Sequence, residues 1–215
     1  MASVVCVHGL GGSAATMAPL VEALRQAGHD ADAITLPGHG TTPDELDTVT
    51  WREWLDAVPP ADVVVGQSLG AAIALAVATE RPQVRAVVAI NPPAPDPDAL
   101  EGLQWRRSRG HEWVDGPPLA DGEPGYTRLP IAALITMTAG ILAIDLAAVT
   151  VPVLIVTSAL DDVVDPASAD AVAAVLAGPV HRLVLPNSGH VATLGPDRDL
   201  LANGIADLRV ATGQW

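Results

Sequence analysis

Ser68 stands between Gly66 and Gly70, where Val63-Val64-Val65 meets the apolar run Ala71 to Thr79. A serine hydroxyl attacks a carbonyl only when a neighbouring base takes its proton, so the chemistry on offer is nucleophilic acyl transfer. The pattern is G-x-S-x-G set between a β-branched strand and an Ala/Leu/Ile/Val helix, the signature of a tight strand-to-helix turn that presents the serine. Small residues two places before and after the serine relieve the crowding of that turn. The helix start beyond it directs N–H groups and a positive dipole end at the reacting centre. Three other stretches hold groups that would complete such a site. They are His8-Gly9-Leu10-Gly11-Gly12, the acidic loop Asp161-Asp162-Val163-Val164-Asp165, and Ser188-Gly189-His190.

Those stretches need elements to place them. Val4 to Val7 reads as a buried strand ending in the glycine loop, and Met17, Leu20, Val21 and Leu24 fall on one face of a helix that Gly28 stops. Further strands are expected at Asp32 to Leu36, Val63 to Val65, Ala86 to Ile90, Val151 to Thr157 and His181 to Leu185. Helices are expected at Trp51 to Val58, Ala71 to Thr79, Ser168 to Leu176 and Asp199 to Val210. Alternation of this kind predicts an α/β fold with a doubly wound, mostly parallel sheet of about six strands. The rhythm breaks between Asn91 and Thr150. Ala94 to Arg128 reads as neither strand nor patterned helix, and Leu129 to Val149 carries the spacing of one apolar helical face.

Open parallel sheets bind ligands beyond the carboxyl ends of their strands. The residues following the first, third, fifth and sixth strands are His8-Gly9-Leu10-Gly11, Ser68, the Asp161 loop and His190. The site therefore assembles in the chain order Ser, Asp, His.

Composition narrows the partners. The 215 residues carry a net charge of −14, which argues against nucleic acid or an anionic membrane surface. The chain has 49% hydrophobic residues, no lysine and no phenylalanine, so Ala, Val and Leu must build the core. Without lysine there is no P-loop, and without a G-x-G-x-x-G no nucleotide or other cofactor is expected. His111, Glu112 and Asp115 are too weakly spaced to argue for a metal. Cys6 is read as a reduced core residue, and no signal peptide or membrane span is visible, so the expected location is cytoplasmic.

The chain resembles the α/β-hydrolases, being most similar to small bacterial carboxylesterases and monoacylglycerol lipases. The likeness rests on Val-Val-Cys-Val-His8-Gly9-Leu10-Gly-Gly, Leu-Pro-Gly38-His39-Gly40, Ala159-Leu160-Asp161-Asp162-Val-Val-Asp-Pro166 and Ser188-Gly189-His190 with Asp197-Arg198-Asp199. It covers nearly the whole chain except Ala94 to Arg128, and lacks the antiparallel strands that many relatives place first. The order Ser, Asp, His belongs to this family. The resemblance implies Ser68 as nucleophile, His190 as base, and Asp161 rather than Asp162 or Asp165 as the acid. It implies an oxyanion hole from the main-chain N–H groups of Leu10 and Leu69. His8 is expected to hold its loop by hydrogen bonding, His39 to be structural, and His29 and His181 to lie at the surface or a strand edge. Trp51 and Trp54 are expected to anchor their helix. It also implies one domain, 1–215, with a cap inserted at 91–150 whose apolar helix roofs the pocket.

The expected reaction is hydrolysis of carboxylic esters with apolar acyl or alkyl groups. A thioesterase, with Arg106, Arg107 and Arg109 as either a phosphate contact or a solvated face, is the alternative. A non-catalytic ligand-binding protein is the alternative of another class, and methyl esterases and hydroxynitrile lyases share the arrangement.

Overall fold

The computed structural model describes residues 2–117, 119 and 123–212, with side chains described up to residue 207. Its strands are β1 (Ser3–Val7), β2 (Asp30–Ile34), β3 (Val63–Gln67), β4 (Ala86–Ile90), β5 (Trp113–Asp115), β6 (Arg128–Pro130), β7 (Val153–Ser158) and β8 (Val180–Leu185). Its helices are α1 (Ala14–Gln26), α2 (Trp51–Ala57), α3 (Leu69–Glu80), α4 (Pro97–Ser108), α5 (Ile131–Leu142), α6 (Ala167–Val175) and α7 (Arg198–Thr212).

Six strands form one parallel sheet in the order β2-β1-β3-β4-β7-β8. The central strands are rich in Val and Ile because both faces are covered. Side chains alternate between the faces. Val4, Cys6, Val63, Val65, Val88 and Ile90 pack on Met17, Leu20 and Leu24 of α1 and Leu201 and Ile205 of α7. Val5, Val7, Val64, Val87 and Ile155 pack on Trp54 of α2, Ile73 of α3 and Val172 of α6. Cys6 is fully buried, and its thiol is pushed up to about 12, by burial first and Asp32 second. From β1 the chain steps outward to β2 and returns to the other side of β1 for β3. The loops leaving β1 and β3 therefore diverge, and a crevice opens between them.

Three local expectations are corrected. β2 begins at Asp30, two residues early, because Ser3 pairs with Asp30 in the ladder. Leu36 has left the strand, and its N–H donates to His8 Nε2 at 3.0 Å instead. Ala94 to Arg128 is not irregular: it holds α4 and β5, and β6, which pairs antiparallel with β5, begins at its last residue. α4 starts with Pro97 after an Asp96 cap whose carboxylate accepts from Ala99 N at 2.9 Å. None of its residues is buried, so it has no apolar stripe to read. α5 stops at Leu142, and Leu146–Ala148 continues as a single 3-10 turn.

Other expected placements hold. Trp54 is buried and its Nε1 donates to Pro37 O at 3.1 Å, while Trp51 lies against Gly140 of α5. His181 lies half-buried on the edge strand β8. His29 differs: it is 5% exposed, tucked in where its N–H donates to Leu24 O after Gly28 has turned the chain from α1 into β2.

Candidate active site

Ser68 is the hinge between β3 and α3. Its φ of 55° and ψ of −115° are forbidding for a side chain with a Cβ, and the turn holds because its neighbours leave no alternative. Its N–H donates to Ile90 O at 2.9 Å. A Cβ on Gly66 would sit 1.9 Å from Gly70 O, and one on Gly70 would sit 2.1 Å from Val7 O. Both glycines are thus required by close backbone approach. Gly9 faces the serine, for a Cβ there would lie 3.3 Å from Ser68 Cβ.

Ser68 and His190 line one cleft with a volume of about 130 Å³, together with the glycine loop Gly9 to Gly12. Leu129, Leu134, Met137 and Val163 make much of its wall apolar, and Glu123 brings a carboxylate to it. Tyr126 also lines it, with its ring nearly parallel to His39 at 6.4 Å and its hydroxyl accepting from Thr41 N at 3.1 Å. Leu10 lines the cleft, and Leu69, next to Ser68 and the first residue of α3, is buried.

Asp161 lies behind His190. Its carboxylate oxygens are 2.9 and 3.0 Å from His190 Nδ1, and its side chain is 2% exposed against 12% for the imidazole. Burial works to raise the carboxyl group of Asp161. The hydrogen bond to His190 and the N–H groups of Val164 and Val163 work the other way and leave it below the usual carboxylate range. Of its rivals, Asp162 is exposed, and Asp165 is exposed with its carboxylate accepting from Ala167 N at 2.8 Å, at the start of α6.

The histidine loop is tied at several points that spacing does not reveal. Asp197 accepts from Asn187 N at 2.7 Å and from Ser188 Oγ at 2.9 Å. Thr193 Oγ1 donates to Thr16 O at 2.6 Å, close to Gln67, the residue before Ser68. Asn91 donates to His190 O at 2.9 Å. Ser188, Thr193 and Asp197 stand in the histidine-loop resemblance, Ser188-Gly189-His190-Val-Ala-Thr-Leu with Asp197-Arg198-Asp199, whereas Asn91 lies outside it.

His8 holds the glycine loop. Nε2 accepts from Leu36 N, so Nδ1 carries the proton and donates to Gly9 O at 2.7 Å. Burial first, and His39 next to it second, push its pKa down to about 3 despite the bond to Gly9. Burial likewise takes His39 down to about 4. In the unfolded chain both titrate near 6.5. Their neutral burial therefore favours the fold fully above that pH, and stability falls as pH drops below it towards 4 and 3. Each contributes a slope of about 1.4 kcal/mol per pH unit. Urea unfolding of His8→Gln between pH 6.5 and 5 is expected to show a shallower dependence, the difference approaching one proton towards pH 5, and an unchanged slope would refute the assignment.

Among the described residues no group of three or more His, Cys, Asp and Glu is arranged to hold a metal ion. Arg106, Arg107 and Arg109 are exposed at the end of α4. Arg107 pairs with Asp47 at 3.6 Å and Arg109 lies 5.3 Å over the Trp105 ring, and none of the three lines the cleft. No helix among the described residues is long and apolar enough to cross a membrane.

The pattern of the alpha/beta hydrolase family matches residues 4–202. A thermostable monoacylglycerol lipase of Bacillus sp. (strain H-257) is 29% identical across 92% of this chain and 86% of its own length. A pimeloyl-acyl-carrier-protein methyl ester esterase of Xanthomonas campestris pv. campestris (strain B100) is 35% identical, over 48% of this chain and 40% of that protein. A solved structure reported for the metagenome-derived lipolytic enzymes LipS and LipT superimposes with a TM-score of 0.83 at 27% identity, covering 97% of this chain and 93% of that one.

Proposed function

This chain belongs to the alpha/beta hydrolase family, and we propose that it is a carboxylic ester hydrolase working through Ser68, His190 and Asp161. The observation that carries the reading is the cleft itself, where a serine on a strained turn shares a wall with an imidazole backed by a buried carboxylate.

In this mechanism His190 Nε2 takes the Ser68 hydroxyl proton as Oγ bonds to the ester carbonyl carbon. The carbonyl oxygen becomes negative and is met by the N–H groups of Leu10 and Leu69. Gly9 O is held by His8 Nδ1 and by Gly12 N, at 2.7 and 3.1 Å. A trans peptide sends its N–H opposite to its carbonyl, so the Leu10 N–H is turned away from those partners and fixed there. The C–O bond to the alcohol then breaks, and His190 passes its proton to the departing alkoxide. Water repeats the sequence on the acyl-serine: His190 takes its proton, the acid is released, and Ser68 Oγ regains the proton. Asp161 fixes the Nδ1–H tautomer and stabilises the imidazolium in both halves.

The segment 91–150 acts as the cap of this site. β6 and α5 bring Leu129, Leu134 and Met137 to the cleft, where they favour apolar acyl or alkyl groups such as those of medium-chain or monoacylglycerol esters. Among the described lining residues there is no arginine to meet a coenzyme A phosphate, which weighs against the thioester alternative. A series of p-nitrophenyl esters tests the specificity. kcat/KM is expected to rise about four-fold for each added methylene from acetyl to about hexanoyl, since a buried methylene stabilises by about 0.8 kcal/mol. A preference for acetyl or for charged acyl groups would refute the apolar wall.

A further inference from the structure

Asn91 is the residue at the end of β4 and, with Ser68, one of two non-glycine residues with positive φ among those described. Its φ is 48° and it is 2% exposed. Asparagine tolerates this conformation better than other side chains, yet it costs free energy unless something is gained by the placement. What it gains is a junction. Its N–H donates to Val156 O at 2.8 Å and its Oδ1 accepts from Ser158 N at 2.8 Å, which lock it to β7. Its Nδ2 then donates to Ser158 Oγ at 3.0 Å and to His190 O at 2.9 Å.

We propose that Asn91 is the positioning residue that registers His190 against the sheet. The other partner of His190 O is Ala192 N, which belongs to the same loop and moves with it. Asp197 and Thr193 hold residues on either side of His190, whereas Asn91 reaches the main chain of His190 from the central sheet. β4 lies between β3, which delivers Ser68, and β7, which leads to Asp161. One amide thus ties the frame carrying nucleophile and acid to the backbone of the base. The consequence is kinetic, because a displacement of roughly 1 Å in a reacting constellation costs about 10²-fold in rate. The inference rests on the reading of His190 as base.

Two variants and one control separate positioning from general support. Asn91→Gly keeps the positive φ and removes the side chain. Asn91→Asp keeps an acceptor for Ser158 N and replaces the Nδ2 donor with a carboxylate oxygen, which repels His190 O. Ser158→Ala removes a buried hydrogen bond of the same cluster but leaves Asn91 bonded to His190 O. Both Asn91 variants are expected to lower kcat, and the rate of fluorophosphonate labelling, by about 10- to 100-fold. KM should stay within about two-fold, since the apolar lining is untouched, and Ser158→Ala should remain near wild type. Folding is checked by thermal denaturation. Wild-type rates in the folded Asn91 variants, or an equal loss in Ser158→Ala, would overturn the proposal. So would failure of both Asn91 variants to fold, which would make the residue a structural one. Absence of labelling in the wild type is a different failure, and would refute the Ser68–His190 reading itself.

Discussion

Ser68→Ala is expected to abolish ester hydrolysis, lowering kcat by about 10⁶-fold, the scale on which a nucleophile and base acting as one unit are lost. The protein should remain folded. The side chain makes no capping bond to α3, and alanine leaves the small groups required around the turn in place. Relief of strain is not expected either, because alanine shares the positive-φ penalty of serine at 55°. A fluorophosphonate should label the wild type at position 68 and leave the variant unlabelled. Substantial residual turnover in Ser68→Ala would show that another group attacks the carbonyl. An unlabelled wild type with bound substrate would favour a binding protein on this fold. His190→Ala should match Ser68→Ala in rate, since neither group acts without the other.

Gly66→Ala is expected to be the most damaging of single-methyl changes, costing about 3 kcal/mol or more and leaving little soluble protein. The added Cβ would stand 1.9 Å from Gly70 O and 2.5 Å from Ala71 N. Both obstacles are backbone at the start of α3, which is buried along its length from Leu69 to Val77. No side-chain rotation can give way, so either β3 or the start of α3 must move. The contrast is Gly102→Ala on exposed α4, where a Cβ meets nothing within 4 Å. That change should be neutral or stabilise by up to about 1 kcal/mol, through helix propensity alone. Thermal melts of the two variants side by side read the difference, and a stable Gly66→Ala would contradict the geometry of the turn.

Much of this arrangement is local and therefore legible in the chain. The β-branched runs at Val63 to Val65 and Ala86 to Ile90 announce buried strands because a doubly covered strand has no polar face. Once the strands are placed, the fold rule that sites gather at their carboxyl ends brings Ser68, Asp161 and His190 together without any view of their contacts. α4 escapes the same reading for a matching reason. It buries nothing, and a helix without a buried face leaves no periodic trace. The start of β2 was displaced because strand ends are set by the partner, here Ser3 opposite Asp30, and not by the residues themselves. His29 shows the same limit, since its burial depends on how tightly Gly28 folds it back against α1.

The sequence by itself determined the sheet, the order in which nucleophile, acid and base candidates occur, and the two glycines the turn demands, because each is written in residues adjacent along the chain. Family resemblance singled out Asp161 among the three acidic residues of one loop, but only the tertiary structure shows its side chain buried against His190 while Asp162 and Asp165 stand in solvent. The tertiary structure alone also disclosed Asn91, whose partners Ser158 and His190 lie 67 and 99 residues away. Hydrogen bonds of that span have no period and no spacing; they exist only once the strand ends have been brought side by side.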